Sequence, residues 1–213
     1  MDIAVKIFQI IFYLTASVVA VLTFIKAKNG LLNSVNTEYQ KKVMERLASL
    51  ADELWEEFDF VSENHWSKDG ALTEVLEKIH EYALQNKYEI LTGKKGFFGV
   101  PLPKKQKEMM AMVEKLKTDP FIPEKIRNKI VSLLDERLNS TFDAYQVVIG
   151  EYQKELSAGR KWNTFEENKS FISNDIVSIM SDKGLSIPKL QEAIHEIRLE
   201  IQKYYESFNT IKN

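Results

Sequence analysis

The amino-acid sequence predicts an all-α protein, an N-terminal transmembrane helix followed by a bundle of five or six mostly antiparallel helices. Three observations carry that prediction. Ile7 to Ile25, IFQIIFYLTASVVAVLTFI, is a run of nineteen residues without a charge. Beyond it, apolar residues recur at steps of three and four, the period of an α-helix. Nowhere is there the sustained polar–apolar alternation that a half-buried strand requires.

Composition bounds the rest. A chain of 213 residues forms one medium domain, or a small domain plus an appendage. With 44% hydrophobic and 28% charged residues it belongs with folded proteins, not disordered ones. A net charge of −2 provides no global basic field, which argues against nucleic acid as a general partner. Cysteine is absent, so disulfides, thiolate metal sites and cysteine nucleophiles are excluded, and a reducing compartment is suited.

The apolar run comes first. As a helix it rises about 1.5 Å per residue, or roughly 28 Å, close to the hydrocarbon thickness of a bilayer. A soluble core helix does not need apolar residues on every face. A cleaved secretory signal needs a small-residue site, and Phe24-Ile25-Lys26 stands there instead. Lys6 precedes the run, whereas Lys26, Lys28, Lys41 and Lys42 follow it, so the charge bias places the larger C-terminal part in the cytoplasm. Residues 1–29 thus read as a membrane anchor spanning at about 7–25, and residues 30–213 as a cytoplasmic helical bundle. The single-pass layout and cysteine-free chain point to a bacterial inner membrane. Within the span, Gln9, Tyr13, Ala16, Ala20 and Thr23 follow helical spacing on one side. Small and weakly polar residues of this kind let helices approach closely in lipid, which makes this face a candidate for self-association.

Asn29-Gly30 offers a stop after the span, although glycine is a weak barrier and the helix can instead continue as a stalk. Leu32, Val35, Tyr39, Val43, Leu47, Leu50, Leu54 and Phe58 then form a stripe stepping slightly above 3.6, the pattern of a straight packed helix. After the polar break Ser62-Glu63-Asn64-His65, a helix is expected from Ala71 to Asn86, capped by Asp69. Further helices are expected at Lys104 to Lys117, from Pro123 to Ala158, at Thr164 to Ser181, and at Ile187 to about Thr210. They are punctuated by Pro120, Gly159 and Gly184.

Two Glu-x-x-His tetrapeptides, Glu77 to His80 and Glu192 to His195, match four of the six ligands of a carboxylate-bridged di-metal bundle. The helical wheel argues against that chemistry. Glu77 falls about 140° from the apolar stripe of its helix and His80 about 80° from it, while Glu192 lies nearly opposite its stripe and His195 about 140° from it. A solvated charged face explains these residues better than a metal. No nucleophile context accompanies His65, and pairing surface carboxylates into an acid–base couple would be arbitrary. The sequence calls for no catalytic residue and no cofactor.

One loop is distinctive. Gly93 to Lys107, GKKGFFGVPLPKKQK, holds five lysines and no acid. Its glycines are three apart with no Gly-Lys-Ser/Thr after a strand, so it is not a phosphate loop. Lys94, Lys95, Lys104, Lys105 and Lys107 with Phe97 and Phe98 could meet lipid or a partner. The simpler arrangement turns both phenylalanines inward to cap the bundle and leaves the lysines wet. The function expected from the whole is that of a single-pass membrane-anchored interaction or regulatory protein without evident catalytic activity. Its partners would be membrane lipid, an unidentified protein and other copies of itself. The alternative is a membrane-acting effector of stress, toxin or anti-phage type that oligomerises through its span. The third and disfavoured alternative is the di-metal enzyme.

Overall fold

A computed structural model describes residues 2–208. Among them the chain is all-α, with seven helices and no strand. Helix α1 runs Asp2–Trp55 and ends in a 3-10 turn, Glu56–Phe58. A second 3-10 turn, Trp66–Lys68, precedes α2 (Ala71–Gln85) and the five-residue α3 (Lys87–Leu91). Then come α4 (Lys104–Lys117), α5 (Glu124–Ser157), α6 (Phe165–Asp182) and α7 (Ile187–Glu206). The expected end of the last helix near Thr210 lies outside the described residues.

Helix α1 does not stop at Gly30. A glycine in a helix interior costs only about 1 kcal/mol relative to alanine, too little to interrupt 54 consecutive helical residues. The chain divides into two compact units between Arg46 and Leu47, inside α1. In the first unit residues 5–39 are all exposed, so Leu32 and Val35 of the long stripe are not packed. In the second unit Leu47, Leu50, Leu54 and Phe58 of the same stripe are buried.

The second unit is built on α5, which packs against α4, α6 and α7. Its inward residues Ala144, Tyr145, Val148, Ile149, Tyr152 and Leu156 meet Val75, Leu76, Ile79 and Ala83 of α2 and Ile172 and Ile176 of α6. Helices α5 and α7 are antiparallel, because Lys125 pairs with Glu200 and Lys129 with Glu196, one number rising as the other falls. Caps explain the helix ends. Gly159 (φ 80°) takes the left-handed conformation after α5, its N–H reaching Leu156 O while Arg160 N–H reaches back to Glu155 O. Asp69 lies one residue before the N-cap, Gly70, and its Oδ1 accepts the Ala71 N–H at 2.9 Å. Pro123 likewise occupies the N-cap of α5, with Glu124 the first helical residue.

Candidate functional site

The sequence of the second unit begins with an acidic stretch. Between Leu47 and Ser67 stand Asp52, Glu53, Glu56, Glu57, Asp59 and Glu63, with no lysine or arginine. This stretch closes α1, forms the Glu56–Phe58 turn and supplies one wall of a cleft of about 570 Å³. The other walls come from α4, α5, α7 and the residues leading into α2.

Four charged side chains from four parts of the chain tie these walls together. Arg137, in the middle of α5, donates from Nη1 to Glu57 Oε2 and from Nη2 to Glu57 Oε1, the latter at 2.6 Å. Lys105, in the first turn of α4, reaches Glu57 Oε1 at 3.3 Å and Asp69 Oδ2 at 2.9 Å. Burial pushes the Glu57 carboxyl upward, but the hydrogen bonds and charge of Arg137, helped by Lys105, overcome it and hold the group below the ordinary carboxylate range. Burial likewise pulls Arg137 down, and Glu57 more than restores it. The pairing keeps both groups charged although each side chain is only 15% exposed.

His65 braces the loop wall. It is buried, its Nδ1 lies 2.7 Å from Ser67 Oγ and accepts the Ser67 N–H, and its ring stacks on Phe60 at 4.7 Å. Around the mouth, Lys68 pairs with Glu63 at 3.3 Å and Lys104 with Glu108 at 3.5 Å, while the Lys104 N–H donates to Glu74 Oε2. The cleft lining holds seven carboxylates and four lysine or arginine side chains. Its floor is apolar: Met109 and Met112 of α4 and Leu133 of α5 are half-buried there, over the buried Leu134, Leu190 and Ile194. The arrangement is an acid-rich, ion-paired rim around an apolar floor. Such a rim and floor present both charged and apolar contacts to the cleft, while Ser67 Oγ, 2.7 Å from His65 Nδ1, lies outside its lining.

The loop singled out in the sequence is divided by the fold. Phe97 packs against the core and lies 5.7 Å from the Tyr82 ring, as expected, but Phe98 is 89% exposed. That corrects the inward orientation expected for both. The reason is local. Tyr82 OH donates to Gly96 O at 3.0 Å and Gln153 Nε2 to Gly99 O at 2.9 Å, pinning the backbone on either side of the pair. Adjacent side chains on a pinned segment point opposite ways, and only one can enter the core. The lysines are divided too. Lys105 belongs to the cleft, Lys95 pairs with Glu89, and Lys104 lies beside Glu108. Lys94 sits 5.7 Å over the Tyr88 ring, and Lys107 is exposed.

The Glu-x-x-His residues are not brought together. Glu77, Glu192 and His195 are exposed, and Glu192 pairs with Lys189 at 2.8 Å. His80 is half-buried, because α6 lays Phe165 over its ring at 4.4 Å. Among the described residues no group of three or more His, Asp or Glu is arranged to hold a metal ion.

In the first unit, α1 is long and apolar enough to cross a membrane, and none of its apolar stretch is buried. Gln9, Tyr13, Ala16, Ala20 and Thr23 all lie exposed on it. Three hydroxyls in the stretch bond back to the carbonyl four residues earlier: Thr15 to Ile11, Ser17 to Tyr13 and Thr23 to Val19, at 2.7–2.8 Å.

Glu57 and Arg137 were not singled out by sequence reasoning, and Asp69 was singled out as a helix cap, not as a member of this network. The available signal was Arg137 itself, which sits at helical spacing on the apolar stripe Ile130, Leu134 and requires a buried acid. Compared with known protein families, curated proteins and solved structures, the chain matches none.

Proposed function

We propose that this protein is a single-pass membrane-anchored helical interaction module, with its second unit presented to the cytoplasm. One observation carries the proposal: α1 holds an apolar stretch that is wholly exposed and whose threonine and serine hydroxyls are satisfied within the helix. Exposed apolar surface of that extent requires cover, and hydroxyls bonded to their own backbone carry little penalty in hydrocarbon. The lysine bias supports the cytoplasmic side, and the layout supports a bacterial inner membrane. Membrane lipid, a protein partner and further copies of the chain are the partners proposed. The test is extraction of the full chain from membranes at alkaline pH, with protease access to the second unit from each side. Retention in the pellet and cleavage only from the cytoplasmic side are expected. Release into the supernatant overturns the anchor.

A second role, as an effector that acts on the bilayer through an assembled span, is favoured by one further observation. Gln9 and Tyr13 fall within the apolar stretch, roughly 10 Å and 5 Å from its midpoint at 1.5 Å per residue. A polar side chain at those depths gains by meeting another. Membrane depolarisation that requires residues 1–27 would favour the effector, and its absence would leave the anchor alone.

A further inference from the structure

We propose that the acid-rimmed cleft of the second unit receives a cationic amphipathic helix from a protein partner. The inference rests on the interaction-module role above and names the chemistry of the partner.

Charge complementarity sets the sign. The lining carries seven carboxylates against four basic side chains, so an incoming anion meets net repulsion and an incoming cation net attraction. The basic groups present are already engaged: Arg137 and Lys105 on Glu57 and Asp69, Lys68 on Glu63, Lys104 on Glu108. The same contacts engage four of the seven carboxylates, and Lys78, outside the lining, takes Glu74 at 2.6 Å, so the group offered to an arriving cation is Glu56, exposed at the mouth and accepting from a neutral amide, Asn64 Nδ2.

The floor sets the shape. Met109 and Met112 stand one turn apart on α4, about 4.5 Å along its axis, beside Leu133 of α5. That repeat matches the apolar residues an incoming helix presents at i and i+3 or i+4, the helix-in-groove mode of recognition. Methionine adapts to varied apolar shapes at such surfaces. A small organic cation would satisfy the rim and leave this floor wet, whereas an amphipathic helix covers both. The volume, about 570 Å³, suits the anchoring side chains of one helix face.

The walls are set in advance. The Glu57–Arg137–Lys105–Asp69 network crosses from the end of α1 to α5, α4 and the entry to α2, so these four parts of the chain are tied to one another around the mouth. A site already fixed in its bound shape loses less on binding.

The test uses the full chain in discs of zwitterionic phosphatidylcholine, with empty discs as the blank. The probe is a labelled 18-residue designed helix with leucines on one face and lysines on the other. Its companions are an isomer with every lysine replaced by glutamate and one with every leucine replaced by serine. Fluorescence anisotropy is expected to show the lysine–leucine helix binding at least about tenfold more tightly than either companion, a difference of about 1.4 kcal/mol. Met112→Lys is expected to weaken it about tenfold, and the rim variant Glu56→Gln/Glu108→Gln, which leaves the core untouched, about threefold. Equal binding of the lysine and glutamate helices overturns the proposal, as does binding indifferent to both variants. Displacement by spermine together with equal binding of the serine companion also overturns it, since the cleft would then read charge alone. Loss of membrane integration with peptide binding intact would count against the anchor and not against the cleft, so the two failures are distinguishable.

Discussion

Arg137 of α5 grips both carboxylate oxygens of Glu57, eighty residues earlier in the chain, in a two-pronged pair whose side chains are each 15% exposed. A planar guanidinium and a planar carboxylate match in this geometry, and the fit adds direction to what would otherwise be plain attraction. The pair stands at the junction of α1 with the cleft and fixes how the acidic stretch lies against α5.

Removing one partner should therefore cost far more than a surface ion pair does. Arg137→Met leaves Glu57 with Lys105 alone in a mostly dry site, and a loss of about 3 kcal/mol in unfolding free energy is expected. The double variant Glu57→Leu/Arg137→Met should recover most of that, because no charge is left stranded. Tryptophan fluorescence during urea unfolding reports the second unit alone, since Trp55, Trp66 and Trp162 all lie beyond Leu47. A single variant within about 0.5 kcal/mol of the parent would show that the pair contributes no more than an exposed one.

Acid should find the same weak point. Glu57 is held below its ordinary value of 4.5, so its contribution is fully present above that pH and is lost as pH falls through the lower folded value. Stability of the parent chain should fall on that acid limb more steeply than stability of Glu57→Gln, with a difference of at most about 1.4 kcal/mol per pH unit for one proton. Parallel acid limbs in the two proteins would remove Glu57 from the account.

Phe97 and Phe98 should separate cleanly on truncation. Phe97 is partly buried against Tyr82 and the α2–α5 core, so Phe97→Ala should destabilise by about 1.5 kcal/mol, less than a fully buried phenylalanine would. Phe98 is 89% exposed, and Phe98→Ala should remain within about 0.5 kcal/mol of the parent. Equal losses in the urea experiment would place both rings in the core.

These residues also mark where the sequence was legible. Helix positions were, because each buried stripe repeats at 3.6 and glycine or proline punctuates the ends: α2, α4, α5 and α6 fall within about a residue of their expected bounds. The passage of α1 through Gly30 was open, because the cost of one helical glycine does not decide between stopping and continuing. The inward and outward turns of Phe97 and Phe98 were not legible. They depend on Tyr82 and Gln153 gripping the loop backbone, and no periodicity records that. The cleft was hidden for the same reason, since Glu57, Asp69, Lys105 and Arg137 converge only in the fold.

Gly30 carries the last expectation. Gln9, Ala16, Thr23 and Gly30 stand seven residues apart, and Tyr13, Ala20, Ala27 and Ser34 form the adjoining column at the same interval. Because α1 continues through Gly30, the small-residue face proposed for self-association extends past the apolar stretch. A Cβ on Gly30 would meet nothing within 4 Å in the single chain, so Gly30→Leu introduces no clash there and should favour the helix by most of about 1 kcal/mol. A second helix seated on this face would be pushed away by the new side chain, and association should weaken by about 1 kcal/mol, roughly fivefold. The cysteine-free chain makes the measurement direct: Ala16→Cys introduces its only thiol, and oxidative cross-linking in membranes is compared with and without Gly30→Leu. Cross-linking that is absent in Ala16→Cys, or unchanged by Gly30→Leu, would leave α1 an anchor and nothing more.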